Sequence, residues 1–182
     1  MSSNTTVISV GSMSPQQVRA TLNSGRIVVA YEPRKEIYEA YTKIKHSRFT
    51  CFPCAVSGKA GTTILHEHGG ASSICDMSLP HYHIDDEYEV EVVAMSDILL
   101  KYNGVRTLNL NCEGSEMSIL MDTPIELLMR CKHIDVEFHQ NCPYLNISKE
   151  DVMACVKKLE EKFVATRVSD ENPYYSFVRR LN

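Results

Sequence analysis

The chain has 182 residues, of which 43% are hydrophobic and 23% are charged, and its formal net charge is −4. This balance is typical of a folded globular domain and excludes an intrinsically disordered chain. The negative net charge excludes a general attraction to nucleic acid or anionic lipid, and no apolar run reaches the roughly 20 residues of a membrane span.

The first 45 residues predict a strand, a helix, a second strand and a second helix. The strands cover residues 6–10 and 26–31, which are short apolar runs. Ser14 is a typical N-cap for the first helix, and Gln17 completes a capping box, while Gly25 ends the helix. Apolar residues at helical spacing predict the second helix from residue 34 to about residue 45.

The second half of the chain predicts mostly strands. Alternating residues in 87–94 predict a strand with one solvated face. Asn103-Gly104 predicts a hairpin turn between strands at 98–102 and 105–110. Further strands are predicted at 117–121, 125–138 and 164–168, and a helix is predicted after the N-cap Ser148. The sequence therefore predicts one α+β domain over residues 1–182, with a strand-rich, twisted antiparallel or mixed sheet and about three helices.

Residues 50–84 predict a long irregular connection, because Cys, His, Gly, Ser and Thr dominate it without periodicity. Its cysteines and histidines suggest a possible zinc site. The candidate ligands are Cys51, Cys54, His66 and His68, with Cys75, His81 and His83 further along. The two histidines after the cysteines are separated by one residue, whereas zinc fingers separate theirs by three to five. A cysteine-containing turn with solvent-exposed histidines is the alternative.

The sequence lacks a recognisable catalytic motif. Ser57-Gly58-Lys59 lacks the leading glycine and the following Ser or Thr of a phosphate-binding loop. No nucleophile elbow or cysteine-protease signature surrounds a Ser or Cys residue. We therefore expect a non-enzymatic protein with no small-molecule substrate and no cofactor other than the possible zinc ion.

Basic residues form three clusters that could contact phosphates or acidic lipid through local charge. They are Lys43, Lys45 and Arg48, then Lys157, Lys158 and Lys162 on the outer face of the last helix, and finally Arg179 and Arg180. Ordinary solvation of surface charges is the alternative for each cluster. The seven cysteines and the lack of a secretory leader predict reduced thiols in an intracellular protein.

The order of elements in the second half resembles that of rhabdovirus matrix proteins, particularly the small, cytorhabdovirus-like proteins of plant-infecting members. The similar elements are the apolar run at 123–129, the helix after Ser148, the Val-rich strand at 163–168 and the aromatic tail at 174–178. The resemblance implies a structural virion protein, found in the virion and in the host cytoplasm near membranes. Such a protein self-associates and bridges the viral ribonucleoprotein to a membrane or a glycoprotein tail.

Two other functions stay open on the sequence alone. One is a zinc-stabilised binding module, such as a viral antagonist of host defence that binds RNA or a host protein. The other is an enzyme of unknown class.

Overall fold

The computed structural model describes residues 6–11, 13–68, 71–75, 84–102, 104–140, 142, 145–169 and 173–181. Within them the chain forms eleven strands and six α-helices. The strands are β1 (Thr6–Val10), β2 (Ile27–Tyr31), β3 (Phe49–Phe52), β4 (Ala55–Ser57), β5 (Gly61–His68), β6 (Ala71–Ser73), β7 (Asp86–Ala94), β8 (Val105–Leu110), β9 (Cys131–Glu137), β10 (Phe163–Ser169) and β11 (Tyr174–Arg179). The helices are α1 (Pro15–Asn23), α2 (Lys35–Thr42), α3 (Met95–Lys101), α4 (Glu116–Asp122), α5 (Ile125–Leu128) and α6 (Lys149–Glu160).

The main sheet has seven strands in the order β10-β11-β9-β8-β1-β2-β3. Strand β1 pairs in parallel with β2 and with β8, and the pairs β2–β3 and β8–β9 are also parallel. Strand β11 is antiparallel to both β9 and β10. The sheet is therefore mixed, as the sequence prediction allowed, and parallel pairs predominate in it.

Helices cover both faces of the main sheet, and the side chains of β2 show this directly. Val28 and Ala30 pack into one cluster with residues of α1 and α2. Val29 and Tyr31 point to the opposite face and join the larger cluster, which includes residues of α3, α4 and α6. Because both faces of the strand are buried, its sequence is a continuous apolar run without alternation.

A second sheet of four strands has the order β4-β7-β5-β6. Strands β5 and β7 pair antiparallel over seven residues, from Gly61↔Val92 to Glu67↔Asp86. Leu65, Val90 and Val92 form a small apolar cluster with Ala55. Three of its strands, β4, β5 and β6, lie within the segment predicted to be an irregular connection at 50–84. That prediction was wrong because short strands rich in Ser, Thr and His carry little hydrophobic signal.

The predicted starts of two helices are confirmed. Ser14 and Ser148 each accept a hydrogen bond from the backbone N–H three residues on, and both helices have a complete capping box. The predicted number of about three helices is wrong, since α3, α4 and α5 replace predicted strands. Short apolar runs such as Ile98–Leu100 cannot be assigned to helix or strand by periodicity alone. In the described part of the chain, no helix has both the length and the apolar character needed to cross a membrane.

The predicted hairpin at Asn103-Gly104 is not formed between two neighbouring strands. Asn103 lies outside the described residues, while Gly104 has a positive φ of 72°. The segment before the turn is α3, and β8 after it pairs in parallel with β1 and β9. The turn therefore joins a helix to a central strand.

The order of the strands reverses at β1. From β1 the chain adds β2 and β3 on one side, and it later adds β8 and β9 on the other side. This is the topology of a doubly wound, Rossmann-like α/β fold, in which ligands bind at the carboxyl ends of the strands where the order reverses. The fold therefore directs attention to the residues that follow β1, β2 and β8.

Candidate functional site

A cavity of about 280 Å³ lies at this reversal point. Its floor includes residues at the carboxyl ends of three main-sheet strands: Gly11 after β1, Glu32 after β2, and Asn111 after β8. Residues of the second sheet, including Leu65 and Ser72, form the opposite wall. The two sheets thus enclose one site between them.

Gly11 allows the turn after β1 to lie close to β8. Its φ is +63°, and a Cβ atom built on it would lie 2.4 Å from the carbonyl oxygen of Asn111. Its backbone N–H donates to the carbonyl oxygen of Tyr31 at 3.1 Å. A side chain at this position would meet backbone atoms, so glycine is required for the close approach.

Glu32 places a buried carboxyl group in the wall of the cavity. The residue is 6% exposed, and its Oε1 accepts a hydrogen bond from the backbone N–H of Arg34 at 3.0 Å. Burial raises the pKa of Glu32 to about 7, although Arg34 opposes the shift. A buried carboxyl group facing a cavity is costly unless hydrogen-bond donors satisfy it. Glu32 is therefore suited to accept hydrogen bonds from a bound ligand.

The N-terminus of α1 also borders the cavity, but its backbone donors are largely used within the helix. Ser14 donates its N–H to Oε1 of Gln17 at 2.7 Å, and Gln17 donates its N–H to Oγ of Ser14 at 3.3 Å. Pro15, at the first helical position, has no N–H to donate. This helix start therefore has fewer free donors than the open helix termini that bind phosphates.

Buried charged side chains fix the loop that follows β8. Glu116 is fully buried, and its carboxylate accepts hydrogen bonds from the N–H groups of Cys112 at 2.6 Å and Gly114 at 2.8 Å. His139 lies between two carboxylates, with Nδ1 at 3.1 Å from Glu116 and Nε2 at 3.3 Å from Glu113. These contacts fix the segment that forms one side of the cavity.

A second, more polar cavity of about 470 Å³ adjoins the first, and both are lined by Met13 and Asn111. Nδ2 of Asn111 donates to Oε2 of Glu137 at 2.7 Å. Tyr174 also lines this cavity, and burial together with the charges of Asp135 and Glu137 raises its pKa. The second cavity therefore presents carboxylate, amide and phenol groups beside the first.

The predicted zinc ligands lie on different strands. Cys51 is on β3, Cys54 follows it, and burial raises the pKa of both thiols, that of Cys54 to about 11. His66 and His68 are on β5, and Nδ1 of His66 lies 2.6 Å from Oε1 of Glu87. Within the described ranges, no group of three or more His, Cys, Asp or Glu residues is arranged to hold a metal ion. His81 and His83 lie outside the described residues.

Four of the predicted interaction residues donate to backbone carbonyl groups near helix ends. Arg48 donates to Leu22, Arg179 to Met129, and Arg180 to Phe163 and Glu160. Nζ of Lys158 donates to the carbonyl oxygens of Leu120, Met121 and Thr123 at 2.7–2.8 Å. The other four residues of the three clusters, which are Lys43, Lys45, Lys157 and Lys162, are exposed. Lys158 was expected to face water, and the structure corrects this.

Sequence reasoning missed Gly11 and Glu32. The sequence does contain a signal for these two residues. The first strand is followed by Gly11, and the second strand, which comes after the helix, is followed by Glu32 about 20 residues later. The sequence has only one of the three glycines of the usual dinucleotide-binding pattern. Because the other two glycines are absent, the glycine pattern does not identify the βαβ unit in this sequence.

Comparison with known proteins identifies the family. A sequence model described as the methyltransferase FkbM domain matches residues 11–162. The structure is similar to that of the methyltransferase FkbM from Methylobacillus flagellatus KT, with a TM-score of 0.59 and 14% identity, over 96% of this chain and 43% of that one. It is also similar to a Methanococcus jannaschii fibrillarin, a pre-rRNA processing protein, with a TM-score of 0.54 and 10% identity, over 97% of this chain and 66% of that one.

This chain therefore spans less than half of the length of the FkbM structure it resembles. No curated protein sequence gives a match to it.

These findings overturn the functional expectations from the sequence. The resemblance to rhabdovirus matrix proteins is wrong, because the family model that matches this chain is a methyltransferase domain; the resemblance rested on the order of elements and on no diagnostic motif. The expected virion role, with ribonucleoprotein and glycoprotein-tail partners, and the expectation of a non-enzymatic protein are contradicted by the family match and by the structural neighbours. Since the family model covers most of the chain, this protein belongs to the methyltransferase FkbM domain family.

Proposed function

We propose that this protein binds S-adenosylmethionine in the cavity between its two sheets and transfers the methyl group to a small-molecule acceptor. Family membership and the doubly wound topology support the proposal. The observation that carries it is the buried carboxyl group of Glu32, which faces the cavity from the end of β2. In Rossmann-like folds an acidic residue at this place accepts hydrogen bonds from a ribose hydroxyl.

The lining of the cavity fits a nucleoside. Glu32 offers acceptor oxygens for the ribose hydroxyls. Apolar side chains of Ile37, Val56 and Leu65 offer surface for a purine ring. Because Gly11 has no side chain, the backbone after β1 leaves room for a ligand at the carboxyl ends of the strands.

The same lining is unfavourable for a dinucleotide. A pyrophosphate needs free backbone N–H groups or basic side chains. The start of α1 uses its donors in the capping box. Among the described residues that line the cavity, Arg34 is the only Lys, Arg or His residue, and its guanidinium faces Glu67. A sulfonium nucleoside, which carries no phosphate, fits these features better than a dinucleotide.

The second cavity is suited to the acceptor. When bound, S-adenosylmethionine supplies an electrophilic methyl group on a positively charged sulfur. Asp135 and Glu137 can accept hydrogen bonds from hydroxyl or amine groups of an acceptor, and Asn111 borders both cavities. We infer a polar acceptor with hydrogen-bond donors.

Titration calorimetry with S-adenosylhomocysteine, the product of methyl transfer, tests the donor site. We expect one binding site and no binding of NAD⁺. Glu32 has a pKa of about 7 in the free protein, and its ionised form is the better acceptor for ribose hydroxyls. Affinity should therefore rise about tenfold between pH 6 and pH 8 as the carboxyl group ionises.

The Glu32→Gln variant should bind at least tenfold more weakly at pH 8, because it loses charge-assisted hydrogen bonds, and its affinity should not depend on pH. Glu39→Gln, an exposed change on α2, should bind like the wild type. If the wild type does not bind S-adenosylhomocysteine, or binds NAD⁺ more tightly, the proposed function is refuted.

A further inference from the structure

An ion pair joins the two sheets beside the cavity. Nε of Arg34, in the loop between β2 and α2, lies 3.5 Å from Oε2 of Glu67 on β5. Both side chains are largely buried, at 15% and 18% exposed. Water screens such a pair less than it screens an exposed one.

Tyr88 on β7 adds a second link to the same loop. Its hydroxyl donates to Oε1 of Glu67 at 2.5 Å and accepts from the backbone N–H of Lys35 at 3.3 Å. Nζ of Lys35 also lies 3.9 Å from the centre of the Tyr88 ring. The second sheet is therefore attached to the start of α2 through Glu67 and Tyr88.

Arg34 connects this attachment to the cavity. Its backbone N–H donates to Oε1 of Glu32, while its guanidinium faces Glu67. One residue thus orients the cavity carboxylate and also contacts the strand that carries Leu65, part of the opposite wall. If Arg34 or Glu67 shifted, the distance between the Glu32 carboxylate and the β5 wall would change.

We propose that Arg34 and Glu67 are positioning residues for the nucleoside: together they hold the Glu32 carboxylate and the β5 wall at a fixed separation across the cavity. This inference rests on the proposed function. It predicts that neither residue needs to touch the ligand to influence its binding.

The charges around Glu32 provide a readout that a purely structural role would not affect. Arg34 and Glu67 face it from the loop and from β5, and Tyr41 faces it from α2. Beyond the effect of burial, Arg34 lowers the pKa of Glu32 and Glu67 raises it. Removal of the two charges should therefore shift the ionisation of Glu32 in opposite directions.

The experiment measures S-adenosylhomocysteine affinity from pH 5.5 to pH 9 for the full chain and for Arg34→Met and Glu67→Gln. At pH 8 we expect weaker binding, by at least tenfold for Arg34→Met and by several-fold for Glu67→Gln. The pH midpoint of binding should rise in Arg34→Met and fall in Glu67→Gln. Glu36→Gln is the matched control, since Glu36 also lies near Arg34, at 3.9 Å from Nη2, but is 84% exposed; it should match the wild type.

Thermal unfolding without ligand checks that each variant is folded, and the conservative Glu67→Gln change keeps the test valid if Arg34→Met does not fold. Wild-type affinity and an unchanged midpoint in both folded variants would overturn the inference while leaving the proposed function intact. Midpoints that move in the same direction in both variants would also overturn it. A wild type that fails to bind would instead refute the proposed function.

Discussion

His139 shows how a single residue stabilises the loop that borders the cavity. Burial alone would lower its pKa, but hydrogen bonds and charge interactions with Glu113 and Glu116 outweigh burial and raise the pKa to about 10. The imidazolium side chain is 13% exposed and therefore weakly screened. Glu113 in the same loop has a positive φ of 51°, a conformation that a non-glycine residue adopts at a cost.

We predict that His139→Gln destabilises the fold by an amount that depends on pH. The folded pKa of about 10 lies above the unfolded value of about 6.5, so the stabilisation is complete below pH 6.5 and is lost as pH rises toward 10. At pH 6 the variant should lose about 3 kcal/mol of unfolding free energy, as expected for a broken buried ion pair. Urea unfolding at pH 6 and pH 9.5 measures this difference, and an equal loss at both pH values would contradict it. His46→Gln, at an exposed position, is the control.

Lys158 joins two helices through the end of one of them. Lys158 extends from α6 to three carbonyl groups at the end of α4, where the helix leaves acceptors without intrahelical partners. A cation there also interacts favourably with the helix dipole. Lys158 therefore joins two helices that pack on the same face of the main sheet.

We expect Lys158→Met to lower the unfolding free energy by about 2 kcal/mol, because the charged hydrogen bonds to three carbonyl groups are lost. For a chain of this size the melting temperature should fall by about 4–8 °C. Lys157→Met changes the neighbouring exposed residue and should shift the melting temperature by less than about 2 °C. Differential scanning calorimetry distinguishes the two variants, and equal melting temperatures would show that the capping contacts contribute nothing.

At the scale of the whole molecule, the cavity depends on both sheets. The carboxyl ends of β1, β2 and β8 form one side, and residues of β4, β5 and β6 form the other. Ser73 on β6 also donates through Oγ to the carbonyl oxygen of Glu113 at 2.5 Å. A ligand in this cavity should therefore stabilise both sheets together.

Hydrogen exchange with mass spectrometry tests this prediction. S-adenosylhomocysteine at about 100 times its Kd should add about 2.7 kcal/mol of stability and raise the melting temperature by about 5–10 °C. Exchange should slow at the end of β2 and also in β5 and β6. Exchange should change less in β10, which lies at the far edge of the main sheet. Slower exchange in the main sheet alone would show that the second sheet does not enclose the ligand.

The sequence alone determined the elements whose signals are local. The capping box of Ser14 and Gln17 and the N-cap Ser148 were read from the sequence, because a cap depends on residues within one helical turn. The strands at β1, β2, β7 and β8 were also predicted within one or two residues, since apolar runs mark β1, β2 and β8 and alternation of polar and apolar residues marks β7. These features depend on backbone chemistry within a single segment.

Only the tertiary structure decided the pairing of the strands and the site. Whether β8 pairs with β1 in parallel or with a neighbour in a hairpin depends on contacts between distant segments, which periodicity does not encode. Glu32 and Leu65 are far apart in sequence, and their meeting across a cavity follows from the reversal of strand order and from the placement of the second sheet. The sequence therefore specified the starts of α1 and α6 and the positions of β1, β2, β7 and β8, while long-range packing specified which side chains share a site.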